Sequence, residues 1–86
     1  MDLVLVEWLD AHSGRGWQTI EQLESAAEPL RCRSVGWLVR RTRECVVIAS
    51  HISGAEQAEQ GATISGQGDM MIPRVAITRI RKLRQP

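Results

Sequence analysis

The chain has 86 residues, of which 43% are hydrophobic and 24% are charged, and its formal net charge is +1. This length and composition predict a single folded domain over residues 1–86 with one modest core, and they argue against general disorder. No apolar run approaches the roughly 18 residues of a membrane span, and no basic stretch precedes the first apolar run. We therefore expect no membrane association and no signal peptide.

The first predicted element is a strand over residues 2–9. Val4, Val6 and Trp8 alternate on one face, while leucines occupy the other. Apolar side chains on both faces are typical of a central or barrel strand. Residues 10–17 then form a loop, because two glycines flank an arginine beside Asp and Ser.

A short helix is predicted over residues 20–27. Thr19 and Gln22 have the spacing of a capping box, and Pro29 ends the helix.

Two further strands, residues 31–40 and 44–52, are predicted to form a hairpin around a polar turn. Gly36 inside the first of them predicts a bend or a close contact. If residues 40 and 44 face each other, Cys32 and Cys45 lie too far apart to bridge, so we expect buried, reduced thiols.

Residues 53–68 contain four glycines and one large aliphatic side chain, and they predict a long loop, with a short helix at 55–60 as an alternative. Met70 to Ile72 predict a strand that Pro73 ends. A single turn over residues 73–77 and a last strand over 78–83, with Ile80 inward, follow.

This order of elements predicts a mainly β fold with one short helix. We expect a small, strongly bent antiparallel barrel of the SH3-like or Sm-like kind, because a turn of helix between the last two strands recurs in such barrels. The alternative is an α+β roll with the helix packed across an open sheet.

Four short patterns run through nearly the whole chain: Val6-x-Trp8-x-Asp10, Ser13-x-x-Gly16-Trp17, Cys32-x-Ser34-Val35-Gly36-Trp37 and Ile72-Pro73-x-x-x-Ile77. Together they resemble a loose group of short phage and prophage proteins of unassigned function. The resemblance implies a protein of the bacterial host's cytoplasm and an accessory role, such as counter-defence, sequestration of signalling nucleotides or a minor part in morphogenesis.

Charge is distributed unevenly along the chain. Residues 1–28 carry six acids and one base, for a net charge of −5, whereas residues 29–86 carry ten bases and four acids, for a net charge of +6. Three interpretations remain open: an anion-binding face, complementary surfaces on two copies, or neutralisation within one fold.

The residues best suited to bind a ligand lie between Asp10 and Trp17. Arg15 offers a forked donor pair to a phosphate, its flanking glycines permit close backbone approach, and Trp17 can stack on a base. Asp10 and Ser13 suit hydrogen bonds to a ribose or base edge. Arg74, after Pro73, supplies a second cation if the fold brings the two loops together. The alternative is a plain turn with Trp17 plugging the barrel.

No catalytic residues, metal ligands or cofactors are predicted. His12 and Ser13 are sequence neighbours that rarely face each other as a base and a nucleophile, and Asp10, His12 and His51 lack a metal-binding spacing. Trp8 and Trp37 are expected in the core.

The sequence therefore predicts a non-enzymatic protein that sequesters an anionic nucleotide-type ligand, with its site at the interface of a homo-oligomer. The second hypothesis is a protein–protein module that acts on a host protein. The third, and least favoured, is a nucleic-acid binder that uses residues 40–43 and the arginines of residues 79–84, because the pI of about 7.9 is low for such a protein.

Overall fold

The computed structural model describes residues 1–86 and is mainly β, as predicted. It contains five antiparallel strands, one short α-helix and two 3₁₀ turns. The strands are β1 Leu3–Asp10, β2 Leu30–Arg41, β3 Cys45–Ser53, β4 Ser65–Pro73 and β5 Ile77–Lys82; the helix is α1 Ile20–Ser25, and the 3₁₀ turns are Ala58–Gln60 and Arg74–Ala76. No helix is long and apolar enough to cross a membrane.

The five strands form one open sheet in the order β4-β3-β2-β1-β5. Strand β2 pairs with β1 along its first part and with β3 only near its end, from Trp37 opposite Ala49 to Arg41 opposite Val46. The sheet is not closed, because β4 and β5 are its two edge strands. The strand pairing therefore does not form the closed cylinder that the sequence predicts.

The core lies on one face of this bent sheet. It consists of Val4 and Val6 from β1, Val46 and Ile48 from β3, and Ile72 from β4. Trp8, Leu38, Ile77 and Ile80 pack against this cluster from its edges. The predicted alternation of β1 and the inward position of Ile80 are confirmed, and the Trp8 indole N–H donates to Ser34 Oγ at 3.0 Å, which satisfies its donor as burial requires.

The β2–β3 hairpin forms around Thr42, but its register differs from the predicted one. Arg41 pairs with Val46, and a bulge lies between Leu38 and Arg40. Cys32 lies opposite Trp8 of β1 rather than opposite β3. Both thiols are free, as predicted, but each is half-buried rather than buried.

The predicted helix is two residues shorter than expected, and its capping box is confirmed. Thr19 accepts from the Gln22 N–H at 3.1 Å, and Gln22 accepts from the Thr19 N–H at 3.0 Å. The segment 11–29, which links β1 to β2 and contains α1, is called the arm below. No residue of α1 is buried, and the arm stands away from the sheet.

The predicted loop over residues 53–68 is too long, because β4 already begins at Ser65 and pairs there with Ser53. Only residues 54–64 connect the two strands, and they contain the 3₁₀ turn Ala58–Gln60. The predicted turn after Pro73 and the last strand are confirmed as Arg74–Ala76 and β5. Residues 73–76 are called the corner below.

The chain is much more extended than one compact domain of its size. Its principal extents are 61 × 26 × 24 Å and its radius of gyration is 17.4 Å, against roughly 12 Å for a compact chain of this length. Its accessible surface is 7132 Å², against roughly 5,100 Å² for a compact chain of this mass. The arm and the β3–β4 hairpin therefore expose surface that a compact domain would bury.

Candidate functional site

The loop from Asp10 to Trp17 forms the first part of the arm. Asp10 ends β1, and its carboxylate accepts the N–H of the next residue, Ala11, at 2.8 Å. Ser13 and Arg15 are exposed, and Trp17 is fully exposed. Trp17 therefore plugs no part of the core, and its indole is free to contact a ligand or another molecule.

The two glycines of this loop differ in the space around them. The side-chain amide of Gln18 occupies the position that a Cβ at Gly14 would take, so in this structure Gln18 covers the backbone there. Gly16 has a φ of +71° and nothing within 4 Å of its Cβ position. Close backbone approach of an anion, which the sequence analysis expects at both glycines, is open only at Gly16.

His12 fixes the base of the arm. Its imidazole Nε2–H donates to the carbonyl of Glu28, which joins the two ends of the arm across 16 residues. This bond, together with the capping box of α1, holds the arm in shape, and neither involves the sheet.

Arg74 lies at a different place, in a cavity of about 220 Å³. The walls come from the end of β2, the corner and β5, and the lining residues are Arg41, Arg74, Ile77, Thr78, Arg79 and Ile80. Three arginines therefore line one small cavity, and no acidic residue lines it.

The fold brings these three arginines together through two backbone contacts. The Arg74 N–H donates to the carbonyl of Glu44 at 2.8 Å, which fastens the corner to the β2–β3 turn beside Arg41. The Thr78 hydroxyl donates to the carbonyl of Glu7 at 3.1 Å, which holds the start of β5 on β1. The position of the cavity thus depends on how four strands are paired.

None of the three arginines forms an ion pair, although Arg79 lies opposite Glu7 in the β1–β5 pairing. The only ion pairs in the structure are Arg33 with Glu7 at 3.6 Å and Lys82 with Asp2 at 3.4 Å, and both are exposed. Ion pairs within one chain therefore neutralise only a few of its charged side chains. The arginine cluster remains available to an external anion, to which each guanidinium can donate two parallel hydrogen bonds.

Within one chain, the predicted site residues do not converge. Arg74 lines the arginine cavity, whereas Arg15 and Trp17 line none of the principal cavities. The sequence analysis assigns Arg41 and Arg79 to separate basic stretches and misses that they join Arg74. No local sequence signal marks them, because their proximity depends on the pairing of β2 with β3 and of β3 with β4, in which Arg41 lies opposite Val46 and Pro73 lies opposite Cys45.

The largest cavity, of about 600 Å³, lies at the other end of the sheet and has a different character. Trp37, His51 and Glu56 line it, and the N-terminal residue Met1 accepts a hydrogen bond from Gln85 at its rim. It contains no arginine or lysine, so it does not suit an anion. Trp37 is half-buried in its wall rather than enclosed in the core as expected.

No protein-family model, curated protein or solved structure matches this chain.

Proposed function

We propose that the protein is a non-enzymatic binding protein that sequesters a small anionic nucleotide-type ligand. The observation that carries this proposal is the convergence of Arg41, Arg74 and Arg79 on one cavity without an acidic residue. Guanidinium groups that are not committed to carboxylates are the side chains best suited to bind phosphate oxygens.

The volume of this cavity limits what it holds. At about 220 Å³ it is smaller than the roughly 300–1,000 Å³ typical of small-molecule pockets. A phosphate group fits this space, and the rest of a nucleotide extends out of it. A second surface must therefore contact the base and the ribose.

The Asp10–Trp17 loop has the chemistry of that second surface. Trp17 offers a fully exposed face for stacking on a base, Arg15 adds a cation, and Ser13 is an exposed hydroxyl. Because these residues lie apart from Arg74 within one chain, the complete site requires a second copy. The proposed ligand-binding residues are therefore Asp10, Ser13, Arg15, Trp17 and Arg74, together with Arg41 and Arg79.

We also propose that the fold is an opened barrel of the SH3-like or Sm-like kind. The strand order and the 3₁₀ turn between the last two strands suit an opened SH3-like or Sm-like barrel. The resemblance to short phage proteins suits an accessory, counter-defence role in the cytoplasm of a bacterial host.

Titration calorimetry against a panel of cyclic and linear nucleotides tests the proposal. We expect heat with at least one member. We expect Arg41→Gln to weaken that binding by about 10-fold or more, since hydrogen bonds to a charged group contribute about 1.5–3 kcal/mol each.

The matched control is Arg43→Gln. Arg43 lies on the same turn, is exposed, and does not line the cavity. An equal loss in both variants would mean that the cavity is not the site, and no heat with any nucleotide would reject the proposal.

The second candidate function is a protein–protein module, such as a host-enzyme inhibitor or a minor morphogenesis factor. The observation in its favour is that Val35 and Val39 are about half exposed on β2. It predicts that Val35→Ser abolishes function while Arg41→Gln and Trp17→Ala leave function intact.

A further inference from the structure

Two apolar side chains of the chain are completely exposed, and they lie on different surfaces. Trp17 on the arm is 104% exposed, and Val75 in the corner is 99% exposed. A fully solvated tryptophan offers one of the largest apolar areas that any side chain can bury. Each surface therefore has the apolar centre that a protein contact requires.

The arm has no support from its own chain. Ile20 and Leu23 of α1 are 69% and 50% exposed, and every residue from 21 to 30 is exposed. A helix of six residues is too short to be stable alone in water. The apolar side of the arm is thus an unpartnered face that a contact with another molecule would stabilise.

The two surfaces carry opposite charge. The arm carries three acids, Glu21, Glu24 and Glu28, against the single base Arg15, for a net charge of −2. In the corner, Arg74 adjoins Val75, and Arg41 and Arg79 line the same cavity as Arg74; together these arginines make the corner basic, with no acid lining their cavity. Contact between two arms, or between two corners, would bring like charges together, whereas contact between an arm and a corner pairs opposite charges.

The excess surface is large enough for contacts with a second copy of this chain. The accessible surface exceeds that of a compact chain of equal mass by roughly 2,000 Å². A standard interface buries about 800 Å² on each partner. Although the β3–β4 hairpin contributes part of the excess, the total is sufficient for two contacts per chain, as when every copy both presents an arm and receives one.

We infer that the arm of one copy docks on the corner of a second copy. Acidic side chains of the arm lie against the arginines, and Trp17 lies beside Val75. Such a contact joins two different surfaces, so two copies can form a reciprocal two-fold pair, or several copies can associate head to tail and close into a ring. The docked arm brings Arg15 and Trp17 to the cavity of Arg74. The inference therefore rests on the proposed function where the ligand is concerned, but the assembly itself needs no ligand.

Sedimentation velocity of the ligand-free full chain, with two charge-reversed variants, tests this inference. The arm variant carries Glu21→Lys and Glu24→Lys, and the corner variant carries Arg74→Glu and Arg79→Glu. We expect the unaltered protein to be an oligomer and each variant alone to be a monomer. Mixing the two variants restores opposite charges at every contact, so we expect the mixture to assemble.

Trp17→Ala tests the apolar part of the contact, with Ile64→Ala as its control. Trp17 contacts nothing in its own chain, so this change cannot unfold it, and we expect at least a 10-fold weaker association. Ile64 lies in the β3–β4 connection and is 46% exposed, and its change leaves association unaltered.

Several outcomes overturn the inference: a monomeric unaltered protein, an oligomer indifferent to the arm and corner variants, or a mixture that stays monomeric. A monomer that binds a nucleotide through Arg41 rejects the inference and keeps nucleotide sequestration, with the site reduced to the arginine cavity of one chain. If the oligomer forms again when the two variants are mixed, but the protein gives no heat with any nucleotide, the inference is kept and the proposed function is rejected.

Discussion

Gly36 lies where β2 passes from its pairing with β1 to its pairing with β3. It faces Val4 across the first pair, and the next residue, Trp37, contacts both neighbouring strands. A Cβ at Gly36 would lie 3.0 Å from the carbonyl oxygen of Ala49 and 3.1 Å from the Cβ of Ile48. Neither atom belongs to a flexible chain end, so an added methyl group forces β2 and β3 apart.

The expected cost of Gly36→Ala follows from two opposing effects. Overpacking of a well-packed interior costs about 1–3 kcal/mol. Loss of backbone freedom in the unfolded chain stabilises the folded protein by about 0.4–1 kcal/mol. We expect the free energy of unfolding to fall by about 1–2 kcal/mol, which lowers the melting temperature by roughly 5–10 °C in a domain of this size.

Gly66→Ala is the matched control. Gly66 also lies in a strand and has no positive φ, but the nearest atom to its Cβ position is 3.4 Å away, which is ordinary contact. We expect this variant to be unchanged or stabilised by up to about 1 kcal/mol.

Urea unfolding followed by tryptophan fluorescence measures both variants, at one protein concentration because association makes the stability of the chain depend on concentration. Equal stabilities for Gly36→Ala and Gly66→Ala would refute the close approach of β2 and β3 at Gly36.

Two further predictions concern the core and the turn. Ile72 is 1% exposed, so we expect Ile72→Ala to lower the free energy of unfolding by about 2–5 kcal/mol, whereas Met71→Ala, at a residue 58% exposed, should change it by less than about 0.5 kcal/mol in the same urea assay. The Thr42 hydroxyl accepts from the N–H groups of Glu44 and Cys45 and donates to the carbonyl of Cys45; we therefore expect Thr42→Val to cost about 1–2 kcal/mol and Thr42→Ser, which keeps the hydroxyl, to cost less, and equal losses would contradict this role.

Local signals in the sequence predict much of the secondary structure. The alternation of Val4, Val6 and Trp8 identifies β1 and its inner face because side-chain direction in a strand has a period of two. Thr19 and Gln22 mark the start of α1 because a capping box acts within four residues. The start of the corner likewise follows from Pro73 alone. Each of these features depends on neighbours in sequence.

Long-range features are the ones that the sequence does not predict. Residues 65–68 are Ser, Gly, Gln and Gly, which carry no strand signal of their own, and they become part of β4 because β3 pairs with them. The bulge between Leu38 and Arg40 shifts the hairpin register, and β2 pairs with β3 only from Trp37 onward, so Cys32 lies opposite Trp8 of β1 and has no partner in β3. The arginine cavity depends on the same register, so the sequence predicts Arg74 but not its neighbours.

The separation of charge bears on whether one surface can serve both assembly and ligand binding. Three arginines meet in the corner cavity, and an arm with a net charge of −2 would neutralise only part of that charge. A docked arm would thus leave a net charge near +1, and Arg15 would lie close to it. An anionic phosphate would still be attracted there, while contact with the arm would exclude water and strengthen each remaining charge-assisted hydrogen bond. In the proposed assembly, the acidic arm and the basic corner would then be complementary parts of one site.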